Sequence, residues 1–554
     1  MNEIIGRVAA TENFPATMDK FYFWTNADFR LNAFDVVKVE HLDGSYSFGT
    51  VENIYHITDA KSFLTSYISN DFGDTTINAP TLRIGMNYVE AAVSYNTQNI
   101  YTPVRNDSPV YLASAAEIEQ ALGLDKITNP LPCGFLKMYA DTPNEIFLPV
   151  KLNSQFILGP EGAHLNISGI SGLAAKTSYA MFLIKAILDS YAKSPSEDNV
   201  AFIIFNVKGK DLMAIHKVNT DAEYDKIVSD YNRLGLDGRP FENVRYYAPF
   251  NENSEVSTYL PDDTVKEYLN GGLLKKFKYI YEDDRESLEM LFADIDDTTQ
   301  TMDSIISKVI DPADSDFSGI ETWNAFLAKV SALAAGNTRS NSKEISVLSW
   351  RKFMRVVNKA IGRDKMFSPR CVPKRQECRL GEELKKISAG SISVIDIAKL
   401  STDKQAFVFG DVLKTIYNLK LGEYDGEGIV PPTKIVIFVD ELNKYASKDA
   451  AKTSPILRQI LDVSERGRSL GIILFGAEQF RSNIHPRVTG NSSTFAFGRT
   501  NVIETTTKDY SAMPATYKNI LTRLEQGEYM IQNPIFRSLL KIQFPKPIYK
   551  QFKD

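Results

Sequence analysis

The chain predicts an α/β protein of several domains: a core built on a buried parallel sheet, an amino-terminal all-β barrel or sandwich, and a mainly helical insertion that interrupts the core. Three observations predict it. Between Leu165 and Val207 a short strand, a glycine turn, a helix and a wholly apolar strand follow one another, which is a βαβ unit. Apolar runs of strand length return after residue 390, separated by helical stretches. Ahead of Leu165 the pattern is different, with short alternating segments divided by turns.

Taken in order, Glu3 to Val8, Lys20 to Trp24, Asp35 to Glu40, Ser45 to Ile54 and Thr81 to Tyr95 read as strands of a barrel or sandwich, with Asp43-Gly44 as one turn. Asp59 to Ile68 reads as helical. Ser114 to Leu122 reads as a small helix, because Ser114 is followed three residues later by Glu117, the spacing of a capping box. Glu145 to Leu152 and Leu165 to Ser168 are strand-like. Tyr179, Phe182, Leu183, Ala186, Ile187 and Ser190 then recur at helical spacing, predicting a helix from about Ala175 to Tyr191. Asn199 to Val207, Ser391 to Ile397, Lys434 to Val439, Gly471 to Gly476 and Thr494 to Gly498 complete the strands of the core. The expected division is 1–150 for the barrel, 151–215 and 391–554 for the two parts of the core, and 216–390 for the insertion, in which Asn243 to Phe250 could be a strand of the core sheet.

The charge balance bounds the partners. Sixty-three basic against 69 acidic residues leave a net −6, so a polyanion can bind only at a local basic surface or inside an assembled channel. Within the insertion, charge is segregated: Glu282 to Asp303 carries nine acids and one arginine, Arg351 to Arg379 ten bases and two acids. The two stretches can pair with each other or the basic one can face a partner. Trp350, Phe353 and Phe367, interleaved with the bases, fit a core at helical spacing. Cys133, Cys371 and Cys378 make no C-x-x-C pair, and the five histidines stand singly, so neither a disulfide framework nor a structural metal is expected. With no signal-like amino terminus and no window of ~20 apolar residues, a cytoplasmic protein without a membrane span is expected.

The chemistry concentrates in Leu165-Asn-Ile-Ser-Gly-Ile-Ser-Gly-Leu-Ala-Ala-Lys-Thr-Ser178. A glycine loop between strand and helix, followed by Lys176-Thr177, is where a phosphate cradle belongs. Backbone N–H groups around Gly172 to Lys176 and the positive end of the helix would face phosphates, so Gly169, Ser171, Gly172, Leu173, Ala174, Ala175, Lys176, Thr177 and Ser178 are the expected ATP-binding residues. Lys176 would reach the terminal phosphates and Thr177 would hold Mg²⁺. Two departures stand out: Lys176 lies seven residues after Gly169, where the usual pattern has six, and Ala175 occupies a glycine position. A plain strand-to-helix turn has the same outline.

A second element follows in Lys434-Ile-Val-Ile-Phe-Val-Asp-Glu441, an apolar strand ending in two carboxylates. Asp440 suits the Mg²⁺ shell and Glu441 suits polarising a water, although an acid pair after a strand can equally cap a helix. The next strand closes on Gln479, an amide placed to sense a γ-phosphate or to serve structure alone. Between them, Ser454-Pro455 starts a helix on which Arg458, Asp462 and Arg466 share one face. Arg468 is expected beyond that helix and free to reach a neighbouring subunit's nucleotide, with Arg466 as the surface alternative.

Asp440-Glu441, the run Glu465-Arg-Gly-Arg-Ser-Leu-Gly-Ile-Ile-Leu-Phe-Gly-Ala-Glu-Gln479, the strand end Phe205-Asn-Val-Lys-Gly209 and the start Ile5-Gly-Arg-Val8 together resemble the HerA family. HerA-type proteins are hexameric DNA-translocating ATPases related to FtsK. The resemblance implies a RecA-like P-loop NTPase core with an ATP-synthase-type barrel and a helical insertion. It also implies Lys176 and Thr177 at phosphates and Mg²⁺, Glu441 as catalytic carboxylate, Gln479 as sensor and Arg468 as a finger acting in trans. Bacterial relatives work with a nuclease or a sirtuin-like NAD-consuming effector in DNA-end processing or anti-phage defence, which implies such a partner beside a homo-hexamer and double-stranded DNA in the pore. Lys444, Lys448 and Lys452 are pore candidates or exposed solubilising lysines. Two further expectations compete with the motor: a nucleotide-binding ring scaffold that regulates an effector with slow hydrolysis, and a conjugation-type ATPase.

Overall fold

The structure, a computed structural model, describes residues 3–69, 71–76, 83–193, 198–293, 295, 300–311, 314–336, 345–362, 364–424 and 430–552. Six strands, β1 (Ile4–Val8), β2 (Lys20–Asn26), β3 (Val36–Glu40), β4 (Tyr46–Thr58), β5 (Gly85–Asn96) and β6 (Pro109–Leu112), close into an antiparallel barrel in the order β1-β2-β5-β4-β3-β6. Phe21, Phe23, Val37, Val39, Val51, Val89, Ala91 and Val110 fill it. Closure removes the edges an open sheet would expose. β6, four residues long and starting on proline, carries too short a pattern to be read from sequence. The helix Ala115–Leu122 starts with the expected reciprocal Ser114–Glu117 capping box. The helix expected over 59–68 runs from Phe63 to Ser69, and the start of the expected strand at 81 lies outside the described residues. β7 (Pro130–Met138) and β8 (Ile146–Asn153) follow as an antiparallel pair.

The central sheet contains β9 (Leu165–Ser168), β10 (Val200–Asn206), β11 (Val244–Asn251), β13 (Leu274–Lys278), β14 (Glu377–Arg379), β15 (Ile392–Asp396), β16 (Lys434–Asp440), β17 (Ile472–Glu478) and β18 (Thr494–Phe497), with β12 (Glu255–Val256) antiparallel on β11. Its order is β14-β13-β11-β15-β10-β16-β17-β9-β18, with parallel pairings throughout. β10 and β17 are buried at every residue, as continuous apolar strands of a parallel sheet must be. One strand, β17, separates β9 from β16, so the glycine loop and the acid pair lie at the same edge of the sheet but not on neighbouring strands.

The expected insertion needs correction. Its segment Asn243 to Phe250 is a strand of the core sheet, β11, but β13 and β14 join the same sheet unannounced, and its helices, including Trp323–Ala335 and Val347–Ile361, share one hydrophobic core with β10, β15 and β16. Trp350, Phe353 and Phe367 are buried there. β13 escaped the sequence because Leu-Lys-Lys-Phe-Lys looks like a surface. Its lysines are instead neutralised internally: Lys276 lies 2.6 Å from Glu255 and Lys278 2.7 Å from Glu377. The acidic and basic stretches meet at Arg379, 3.3 Å from Asp283 and 2.9 Å from Asp284; Asp294, Asp296, Asp297 and Arg363 lie outside the described residues.

The carboxyl-terminal assignment also shifts. β19 (Glu528–Gln532) and β20 (Leu540–Gln543) form a hairpin whose β20 pairs with β7. By contacts the chain forms two compact units, Met1–Asn153 with Asn501–Phe544, and Ser154–Thr500 with Pro545–Asp554, so much of the tail expected in the core belongs to the first unit. No helix among the described residues is long and apolar enough to cross a membrane.

Candidate active site

The loop leaving β9 is held at both sides of the strand. Gly169 N–H donates to the Glu478 carbonyl at the end of β17 (3.1 Å), and Ile170 N–H to the Arg499 carbonyl beyond β18 (2.8 Å). Gly169 has φ +154°, and a Cβ there would stand 2.5 Å from that of Ala174, so a side chain would push the loop open. Ser171, Gly172 and Leu173 form an exposed crest, closed by Ala174 N–H donating to the Ile170 carbonyl at 3.0 Å. That turn absorbs the residue by which the loop exceeds the usual spacing. Ala175 takes a left-handed φ of +49°, the conformation for which glycine is ordinarily required. The helix Lys176–Lys193 begins immediately after it, with Thr177 and Ser178 half-buried in its first turn.

Lys176 is buried and arches back over the loop, donating to the Gly169 carbonyl at 2.8 Å and standing 3.5 Å from Ser171 Oγ. Burial pushes its pKa down, against the pull of Asp440, Glu478 and Glu441. Thr177 Oγ1 donates to Asp440 Oδ2 at 3.0 Å, joining two motifs that are 263 residues apart. A hydroxyl and a carboxylate meeting in this way are the hard oxygen donors that a Mg²⁺ ion takes. Glu441 follows with φ +59°, its N–H donating to Asp440 Oδ1 at 2.9 Å. Its carboxylate lies between two lysines, Lys208 Nζ at 3.2 Å and Lys444 Nζ at 2.5 Å, and Lys208 also reaches Asp440 at 3.3 Å. Burial pushes Glu441 up, but Lys444 and Lys208 together hold its pKa below the ordinary value.

Gln479 sits half-buried just past β17, one residue beyond where that strand ends. Next to it is a residue that the sequence reading passed over. Glu478 is fully buried at the end of β17, in register with Ser168, and neither carboxyl oxygen makes a hydrogen bond of ordinary geometry. Burial pushes its pKa up to about 8, against Arg481, Asn166 and Lys176. The available signal was an acid closing the apolar run Ile-Ile-Leu-Phe-Gly-Ala. Lys208, given no role by the sequence, lay within the strand end Phe205-Asn-Val-Lys-Gly209.

Arg468 requires a correction. The helix runs from Pro455 to Leu470 and stops at Gly471 (φ +73°), so Arg466 and Arg468 both lie in its last turn and are exposed. Arg-Gly-Arg suggested a helix end, but Gly467 is an interior position. Arg468 Nη1 donates to the Glu161 carbonyl at 3.4 Å. Lys448 and Lys452 are exposed, whereas Lys444 is committed to Glu441.

No family model and no curated protein matches the chain. Among solved structures, the plasmid coupling protein TrwB in complex with a non-hydrolysable GTP analogue is similar at 10% identity over 73% of this chain and 90% of that one, with a TM-score of 0.41. VirB4 of Thermoanaerobacter pseudethanolicus is similar at 11% identity over 76% and 96%, TM-score 0.41. The genome packaging NTPase B204 from Sulfolobus turreted icosahedral virus 2, in complex with AMP, is similar at 14% identity over 30% and 72%, TM-score 0.22.

Proposed function

We propose that the chain is an ATP-hydrolysing motor that translocates double-stranded DNA as a homo-hexameric ring. The observation that carries the reading is the Thr177–Asp440 hydrogen bond, with Lys176 on one side and Glu441 on the other. Strand ends of a parallel sheet bring together a glycine loop, a hydroxyl and a carboxylate in contact, and a second carboxylate, groups of the kind that phosphoryl transfer to water uses. In this reading backbone N–H groups of residues 171–176 and the helix start bind the phosphates, and Lys176 leaves the Gly169 carbonyl to meet them. Bound Mg²⁺, held by Thr177 and Asp440, would neutralise developing phosphate charge. Glu441 accepts a proton from the attacking water, Gln479 orients that water, and Arg468 of a neighbouring copy completes the site. The HerA resemblance supports DNA as the cargo and a nuclease or sirtuin-like partner in DNA-end processing or anti-phage defence; the work would take place in the cytoplasm.

The test is steady-state ATP hydrolysis with and without linear duplex, alongside the oligomeric mass. Glu441→Gln is expected to bind ATP and lose turnover by 10² or more, roughly the worth of a general base; normal turnover in that variant would sink the mechanism. Lys176→Ala is expected to lose nucleotide binding. A second reading, the nucleotide-binding scaffold for an effector, draws on the lengthened loop and on the left-handed Ala175. Ring-sized mass with ATP bound and negligible turnover would favour it.

A further inference from the structure

Beside Glu441 lies a cleft of about 470 Å³ framed by Lys208 and Lys210 from the turn after β10, Lys444 from the turn after β16, Gln405 and the exposed Tyr259. No carboxylate is among its lining residues. Lys399 stands at its margin, Nζ 5.8 Å from the centre of the Tyr259 ring and donating to the Thr258 carbonyl at 3.2 Å. In a chain of net −6, this is a local concentration of cations at the carboxyl end of the sheet.

Two of the lining lysines are also the two partners of Glu441. Their side chains are 47% and 36% exposed, so both pairs are open to water and can be exchanged for another anion. An ammonium with three donors on a flexible stem can move from a carboxylate to a phosphate without rebuilding its surroundings. A polyanion drawn into the cleft therefore competes for the cations that hold Glu441. One exposed tyrosine is too little for the stacked aromatic platform that single strands use, whereas lysines suit a phosphate backbone.

We propose that this cleft binds the phosphate backbone of duplex DNA, and that Lys208 and Lys444 act as positioning residues coupling its occupancy to hydrolysis. With the cleft empty of DNA they restrain Glu441. With phosphates in place they release it to the attacking water. The inference rests on the ATPase reading of the site above.

The test uses the full chain, a fluorescein-labelled linear duplex and a salt series for binding, together with ATP turnover without duplex and at saturating duplex, in K208Q, K444Q, K210Q and E441Q. Each lysine variant is expected to weaken duplex binding and to lower the slope of log affinity against log salt by about one. In K208Q and K444Q the ratio of stimulated to basal turnover falls towards one, with the basal rate raised; K210Q keeps the ratio once duplex saturates; K208R restores it. Wild-type ratio and slope in K208Q and K444Q would overturn the coupling, and tighter binding of a single strand of the same sequence would overturn the duplex assignment. If E441Q hydrolyses ATP as the unaltered chain does, the ATPase reading itself fails. If E441Q alone is inactive and the lysine variants behave as wild type, only the present inference fails.

Discussion

At the scale of the residue, Ala175 is the clearest departure from a relaxed phosphate loop. Its φ of +49° crowds Cβ against the following carbonyl, a cost of about 1 to 2 kcal/mol that glycine does not bear. Ala175→Gly also widens the unfolded ensemble, which offsets part of that relief. The expected outcome is a net gain of about 0.5 to 1 kcal/mol in urea unfolding; a loss would mean the Ala175 methyl group contributes packing that outweighs the strain. Asp396, at the end of β15, offers a pH test. It is fully buried, and burial pushes its pKa up to about 6 against Thr258, Asn206 and the Ala398 N–H. The folded state then holds the proton more tightly than the unfolded chain does. Its contribution is complete below about pH 4 and is lost as pH rises through 6, a decline on the order of 3 kcal/mol. Asp396→Asn should flatten that part of the Tm profile, and an unchanged profile would contradict the assignment.

At the scale of the element, the helix Pro455–Leu470 illustrates how packing overrides local signals. Ser454 caps it as its sequence predicts, with Leu457 N–H at 3.5 Å from Ser454 Oγ. The glycine at 467 reads as a terminator, yet a Cβ there would stand 2.6 Å from the Ile472 carbonyl oxygen. Glycine is therefore present to let the helix lie against the start of β17, and the stop comes four residues later. Gly467→Ala should cost about 1 to 3 kcal/mol by levering the helix off the sheet, measurable as a lowered Tm. If Arg468 serves a neighbouring site, turnover should fall further than stability alone predicts. β13 is the opposite case, since its three lysines mask a strand in which each of them is paired with a carboxylate, Glu383, Glu255 or Glu377.

At the scale of the whole molecule, nucleotide binding should be visible as stability. If ATP with Mg²⁺ binds only the folded chain, a concentration one hundred times Kd adds about 2.7 kcal/mol and raises Tm. Lys176→Ala should abolish that shift while leaving the ligand-free Tm near its starting value. A shift of equal size in the variant would remove Lys176 from the phosphate site. The transition to follow is that of the unit Ser154–Thr500, which carries the loop, the acid pair and the helix with Arg468.

By itself the sequence determined an all-β amino-terminal region, the βαβ unit, the capped helices, and the succession of a glycine loop and an Asp-Glu strand end. These rest on periodicity and on residue types whose preferences are local: aromatic residues in β2, apolar runs in β10 and β16, glycine before a helix. The tertiary structure decided what depends on distant partners. It brought Thr177 to Asp440, set Lys208 and Lys444 on Glu441, buried Glu478, and added β13 and β14 from the expected insertion to the core sheet. Desolvation and ion pairing arise only once the chain has folded, so a lysine or glutamate in the sequence carries no mark of whether it will face water, a carboxylate or the core.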